Sequence, residues 1–407
     1  MAGFDVADDR LMRGFPPPPA QRVRLDQVYA EPRLTHWYMQ HARELCGTAD
    51  VSSRHVPVIA LPEQPMSLDE VRVGRAGGGE WTLAEMLAGT CADGIAVLRR
   101  GRLVYERYFH GMRPHTPHVC QSVTKALASC AAAHLIEDGV FGVHDAVGTI
   151  VPELAGSAYG DATVRHLLDM SVGIRYEDEL NKPEYDGARL CRLEGVQPSQ
   201  SADEPGSAYD EAACTQKEGQ HGGVFHYVSL NTIVLGWVME RATGATAADL
   251  LRAHLWSRLG TEHDAYVLLD AAGSAQLEGG FACSLRDLAR FGLMLCQDGR
   301  FGEQEVVPAG WLDDVRQNGD RAAFAAAAAG WDDQGSYDGC SYRSCFWVCD
   351  QGGRVSFSAV GWLGQRVYVD REAGVVIALF SSRPQQLEDE MGAHVFRACA
   401  DLTLALA

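Results

Sequence analysis

The hexapeptide Gln121-Ser122-Val123-Thr124-Lys125-Ala126, continued by an apolar run over residues 127–135, carries a chemical pattern and a structural one together. If a helix starts at Ser122, the spacing of three puts Ser122 and Lys125 on one face, a turn apart. A serine hydroxyl is a weak nucleophile at neutral pH and needs a base within hydrogen-bond reach. A lysine can be that base when burial and neighbouring positive potential favour its neutral amine. The unpaired N–H groups of a helix's first turn supply such potential. Lysine is scarce in this chain, which has only Lys125, Lys182 and Lys217. The plainer reading, a surface lysine on an exposed helix, conflicts with the apolar run that follows it.

Before this helix, residues 95–98 and 103–109 flank Arg100-Gly101 and predict a β-hairpin. After it, Asp138-Gly139 is a stop signal, and Asp161-Ala162-Thr163 caps a short helix running to residue 170. Further helices are expected over 232–243, halted by Gly244, and over 285–295, with Ser284 as N-cap. Residues 344–348, 355–360, 365–369 and 375–381 read as successive antiparallel strands, with Arg371-Glu372-Ala373-Gly374 turning the last pair. An amphipathic helix over 385–406 closes the chain. The fold class is therefore α/β (α+β): an antiparallel sheet made from both ends of the chain, flanked by helices, with a mainly helical insertion. The expected organisation is an N-terminal arm (1–60) packed on the core, a discontinuous α/β domain (61–121 and 270–407), and a mainly helical domain (122–269).

From 177 to 223 the periodicity collapses into a loop, and a loop of that length in a compact protein is usually functional or mobile. Asp178, Glu179, Glu184 and Asp186 in it are placed to meet a positively charged substrate group, or else form a solvated acidic surface. Net charge is -19. That opposes sequence-independent nucleic-acid binding, which needs positive potential, and opposes attraction to an anionic membrane. The N-terminal residues lack the apolar segment of a secretory signal, and no apolar run is long enough to span a bilayer. Twelve cysteines in that setting suggest reduced thiols and a cytoplasmic protein. Cys340, Cys345 and Cys349 lack the paired spacing of a zinc site and read as free or buried thiols.

Three motifs together carry a family resemblance: Ser122-Val123-Thr124-Lys125, Tyr227-Val228-Ser229, and Gly361-Trp362-Leu363-Gly364 between two late strands. They resemble the three motifs of the penicillin-recognising serine hydrolases. That group takes in class C β-lactamases, DD-peptidases, family VIII carboxylesterases and 6-aminohexanoate-dimer (nylon-oligomer) hydrolases, and the chain looks most like the last branch. The resemblance runs over roughly residues 30–400 and implies a β-lactamase/transpeptidase-like fold. It implies Ser122 as acylated nucleophile, Lys125 as general base and Tyr227 as the acid/base serving the leaving group. The backbone N–H groups of Ser122 and Trp362 would form the oxyanion hole, and Ser229, Val360, Gly361 and Tyr176 would bind substrate. The substrate is then a small ester or amide, with no metal or organic cofactor, no nucleic acid and no membrane, and with a homodimer as the candidate assembly. One departure matters. Where the family's third motif reads Lys- or His-x-Gly, this chain has Ala359-Val360-Gly361, so no cation is offered to a substrate carboxylate. An amidase or carboxylesterase is favoured over a β-lactamase or D-amino-acid peptidase. A non-catalytic sensor that kept the fold is disfavoured by the presence of all three catalytic residue types.

Overall fold

Residues 375–381 are apolar at nearly every position, as are 95–98, and such runs belong to strands buried on both faces. In the computed structural model, which describes residues 7–53, 57–75, 77–178, 182, 184–198, 206–330, 337–351, 353–385 and 388–407, these runs are the neighbouring strands Val375–Ser381 and Ala92–Arg99. They are part of a seven-stranded antiparallel sheet ordered Cys340–Arg343, Phe346–Gln351, Arg354–Gly361, Gln365–Asp370, Val375–Ser381, Ala92–Arg99, Arg102–Tyr108. Both ends of the chain thus build one sheet.

Alternation along the strands sorts side chains between two cores. Ile95, Val97, Ile377 and Leu379 meet the Glu388–Leu406 helix through Met391, Val395, Phe396 and Leu402. Ala96, Leu98, Val376, Ala378 and Phe380 turn the other way, toward the Leu285–Cys296 and Val123–Glu137 helices. The Leu285–Cys296 helix lies close on the sheet because Gly292 has no side chain: a Cβ there would come within 2.4 Å of Val376 Cγ1. Arg100 and Gly101 turn the first hairpin with φ of 48° and 77°, the pair of left-handed residues a two-residue hairpin needs.

A smaller four-stranded sheet leads to the serine. Its order is Thr48–Val51, Ala265–Leu268, Phe281–Cys283, His118–Val119. The last of these strands delivers the chain directly into Gln121-Ser122. The Pro32–His41 helix packs Trp37, Tyr38 and Met39 against Val119, Tyr266, Leu268 and Leu363.

Two expectations are corrected. The 177–223 stretch is no continuous loop: it holds the helices Asp186–Leu193 and Ala208–Cys214, and the strand Gln216–Lys217 paired with Ile174–Arg175. Both helices are shorter than the window of roughly 11–18 residues over which helical periodicity is read, which is why they escape a reading by pattern. The free-thiol reading also fails for two cysteines. Cys340 stands opposite Cys349 in the hairpin register, with Cα atoms 3.9 Å apart, and the two form a disulfide. Cys345 is a buried free thiol. Among the described residues no helix is long and apolar enough to cross a membrane.

Candidate active site

Ser122 follows Gln121, whose φ of 50° is a left-handed conformation uncommon outside glycine, and starts the Val123–Glu137 helix. Serine at a helix start normally caps a backbone N–H with its hydroxyl. Ser122 makes no such cap. Its Oγ instead receives a hydrogen bond from Lys125 Nζ at 2.8 Å. The lysine is 1% exposed, because the helix carrying it buries thirteen of its fifteen residues. Two further acceptors hold the amine: the Glu278 carbonyl at 2.7 Å and Ser229 Oγ at 3.3 Å.

Ser229 sits at the start of a second helix, Leu230–Thr243, and also leaves its capping role unused. Its hydroxyl donates to Asp178 Oδ2 at 2.8 Å, and its N–H donates to the same oxygen at 3.1 Å. Two helix N-termini therefore converge on one lysine, and both direct positive potential into the site. Burial pushes the Asp178 carboxyl up to about 6 against the opposing pull of Lys125 and the Ser229 hydrogen bonds.

Gly361 ends its strand against the turn before Ser122, and a Cβ there would stand 2.5 Å from the Cys120 carbonyl and 3.1 Å from Gln121 Cβ. Only glycine allows this approach, which seats the strand end against the Cys120–Gln121 turn, and Trp362 and Ser122 both line the cleft beside it. Neither the Ser122 nor the Trp362 N–H donates in the backbone hydrogen bonds of the described residues. Trp362 packs edge-on against Tyr29, whose hydroxyl accepts from Gln121 Nε2 at 3.0 Å.

A cleft opens here, walled by Ser122, Ser229, Trp362, Tyr29, Leu190 and Cys191 and by the carboxyls of Asp178, Glu194 and Glu278. Glu194 and Glu278 both line the cleft close to one another. Burial pushes both carboxyls upward.

Of the residues singled out from sequence, Ser122, Lys125 and Ser229 meet in one hydrogen-bonded chain, with Gly361 and Trp362 beside them. Tyr227 is adjacent but differently disposed: its ring lies 5.1 Å from Lys125 Nζ, and its hydroxyl makes no hydrogen bond to another described residue. Tyr176 is 3% exposed, with its hydroxyl unpaired among the described residues. Val360 is half-buried, and neither it nor Tyr176 is on the cleft wall. Of the four acidic residues noted, Asp178 reaches the cleft. Asp186 is engaged by Arg189 and the Glu177 N–H, Glu184 is exposed, and Glu179 lies outside the described residues. Tyr29, Glu194 and Glu278 carry no sequence signal of their own; only the tertiary fold assembles them.

Residues 83–401 match the family model described as beta-lactamase. The chain is 31% identical over 373 residues to the 6-aminohexanoate-dimer hydrolase of Paenarthrobacter ureafaciens, covering 91% of each. A Bacillus anthracis structure provisionally named 6-aminohexanoate-dimer hydrolase superposes with a TM-score of 0.84 at 26% identity, over 94% of this chain and 97% of that one. A Bacteroides dorei structure provisionally named a β-lactamase shares the fold, with a TM-score of 0.60 at 19% identity, over 80% and 96% of the two chains. With a family match over most of its length and relatives aligned nearly end to end, this chain belongs to the beta-lactamase family and is a hydrolase of that fold.

Proposed function

We propose that the protein is a serine hydrolase that cleaves small amides or esters through an acyl-enzyme on Ser122. The observation that carries this reading is the buried Lys125 amine 2.8 Å from the Ser122 hydroxyl, at a helix start. Substrate enters the cleft with its carbonyl carbon over Ser122 Oγ. Lys125 takes the hydroxyl proton as the C–O bond forms. The carbonyl oxygen, now anionic, lies between the Ser122 and Trp362 N–H groups, where preorganised donors are worth several kcal/mol, about 3 by comparison with other hydrolases. Tyr227, whose ring lies over the Lys125 amine, hands its phenol proton to the departing amine or alcohol and regains one from the Lys125 ammonium. Water then releases the acyl group by the reverse relay.

The cleft wall points to the substrate class. It carries three carboxyl groups and no arginine or lysine among its described lining residues. A β-lactam or D-amino-acid peptide carboxylate would meet no cation there, and Ala359-Val360-Gly361 supplies none at the sheet edge. A neutral acyl group, or one ending in a protonated amine near Glu194 and Glu278, suits these walls. The likeness to a hydrolase named for aminohexanoate dimers supports an amide of this kind.

The test is a panel of p-nitrophenyl acetate and butyrate, ω-amino-acid dimers, D-amino-acid amides and a chromogenic cephalosporin, with wild type and Ser122→Ala. We expect turnover of esters or ω-amino-acid amides, at rates well above the cephalosporin, and none above background in the variant. Full activity of Ser122→Ala, or cephalosporin turnover rivalling the best ester, would overturn the reading.

A further inference from the structure

A lysine can serve as base only after it has lost a proton, and an amine held by three acceptors is arranged as an ammonium. The hydrogen-bonded chain behind Lys125 offers a route for that proton. Ser229 has a single hydroxyl hydrogen. An ionised Asp178 can only accept, so the hydrogen lies toward Asp178 Oδ2 at 2.8 Å, and the Ser229 lone pair faces Lys125 Nζ at 3.3 Å. The Ser229 N–H at 3.1 Å fixes the same carboxylate oxygen, so the direction of the chain is set.

We propose that Asp178, through the Ser229 hydroxyl, accepts a proton from Lys125 and so converts that lysine to the free amine. This rests on the reading of Ser122 as nucleophile and Lys125 as base. In the step, one Nζ–H bond breaks as an Oγ–H bond forms on Ser229, and the original Ser229 O–H bond breaks as an O–H bond forms on Asp178 Oδ2. One proton passes from lysine to carboxylate and Ser229 ends unchanged. An ammonium and a carboxylate become two neutral groups, which a site screened from water favours. Lys125 then holds a lone pair toward Ser122 and takes its proton during attack. Asp178 acts through Ser229 and not on the reacting atoms, and is a positioning residue.

The groups around Asp178 agree with this. Lys125, on the Val123–Glu137 helix, is the cation that acts on it. Asp186, on the Asp186–Leu193 helix, is a like charge that favours the protonated carboxyl. The phenols of Tyr159 and Tyr176 and the thiol of Cys191 also lie within its field, all three pushed upward by burial and therefore neutral. Glu194 and Glu278 also act on Lys125 through their charge. A carboxyl pushed up to about 6 is ionised at neutral pH yet a close match for accepting a proton.

The sign of the pH effect follows. Below about pH 6 Asp178 is already protonated and cannot accept, so kcat/KM for a neutral ester should fall on the acid side of that value. The experiment measures kcat, KM and their pH dependence with p-nitrophenyl butyrate for wild type, Asp178→Asn, Ser229→Ala, the double variant and Ser229→Thr. Fluorophosphonate labelling of Ser122 and a thermal melt are recorded for each. Expected are losses of about a hundredfold in kcat for each single variant, KM within about twofold, and no further loss in the double variant, since both cut one relay. The acid limb near pH 6 should disappear in both single variants, and Ser229→Thr, which keeps a hydroxyl, should regain most of the rate. If Asp178→Asn does not fold, Ser229→Ala carries the same test. Retention of the wild-type pH profile by the folded variants, or multiplying losses in the double variant, would overturn the relay while labelled Ser122 leaves the hydrolase reading intact. Unlabelled, fully active wild type would instead remove the reading itself.

Discussion

Gly361 matters through the side chain it lacks. Its strand can end against the Cys120–Gln121 turn because nothing fills the 2.5 Å between a would-be Cβ and the Cys120 carbonyl. Gly361→Ala must push strand or turn aside, and overpacking of that kind costs about 1–3 kcal/mol. The expected outcome is a lower denaturant midpoint and a fall in kcat of tenfold or more, since displacement moves the Trp362 N–H away from Ser122. Wild-type kcat in the alanine variant would show that the strand end does not position the site. At this scale the sequence was legible wherever chemistry is local. Ser122 and Lys125 are one turn apart on a helix, and their meeting needs no tertiary information. Glu194 and Glu278 are 84 positions apart in the numbering, on segments with no shared pattern, so only folding brings them together at the cleft.

The elements that could be read in advance are those whose periodicity is complete. The strand Val375–Ser381 and the helix Leu285–Cys296, capped by Ser284 through the Asp287 N–H, both fall within a residue or so of their expected limits. The strand Cys340–Arg343 was hidden because four residues of mixed polarity give no alternation to read. With it went the pairing of Cys340 and Cys349, which follows from hairpin register and not from cysteine spacing. Alkylation of denatured protein without reductant should modify ten cysteines, leaving the Cys340–Cys349 pair unlabelled, and all twelve after reduction. Mass spectrometry of the peptides decides this, and full labelling before reduction would contradict the bridge. The helices Asp186–Leu193 and Ala208–Cys214 show the converse difficulty: each is too short to be stable alone and is held in place by burying residues such as Leu190, Leu193 and Ala212 in the fold.

Across the whole molecule, the Pro32–His41 helix is tied to the sheet by a buried polar knot. Asp93 is fully buried, with His36 Nδ1 standing 3.1 Å from its Oδ1, while its Oδ2 is hydrogen-bonded to His118 Nε2 at 3.1 Å and accepts from the Ser382 hydroxyl. Burial alone would raise the Asp93 pKa, but the neighbouring His36 and His118 outweigh it and hold the carboxyl well below its usual range. The folded value lies below the unfolded one of about 3.9. The stabilisation is therefore complete above that pH and is lost as pH falls toward the folded value. Asp93→Asn should lose about 3 kcal/mol at pH 7, the order expected when one member of a buried pair is removed. It should also show a flatter loss of stability between about pH 5 and 3 than wild type. Urea unfolding at several pH values measures both, and an unchanged midpoint at pH 7 would contradict the role given to this knot. These ties converge on one place: two sheets and two helix starts bring the Lys125 amine and the Ser122 hydroxyl together at the cleft, where the proposed mechanism would put a substrate carbonyl. The most direct measurement is mass spectrometry of the native protein after brief treatment with a fluorophosphonate, alongside its esterase activity. The account predicts one adduct per chain, on the peptide containing Ser122, formed in step with loss of activity and absent in Ser122→Ala. Loss of activity with the adduct on another residue, or an adduct on Ser122 that leaves turnover untouched, would contradict it.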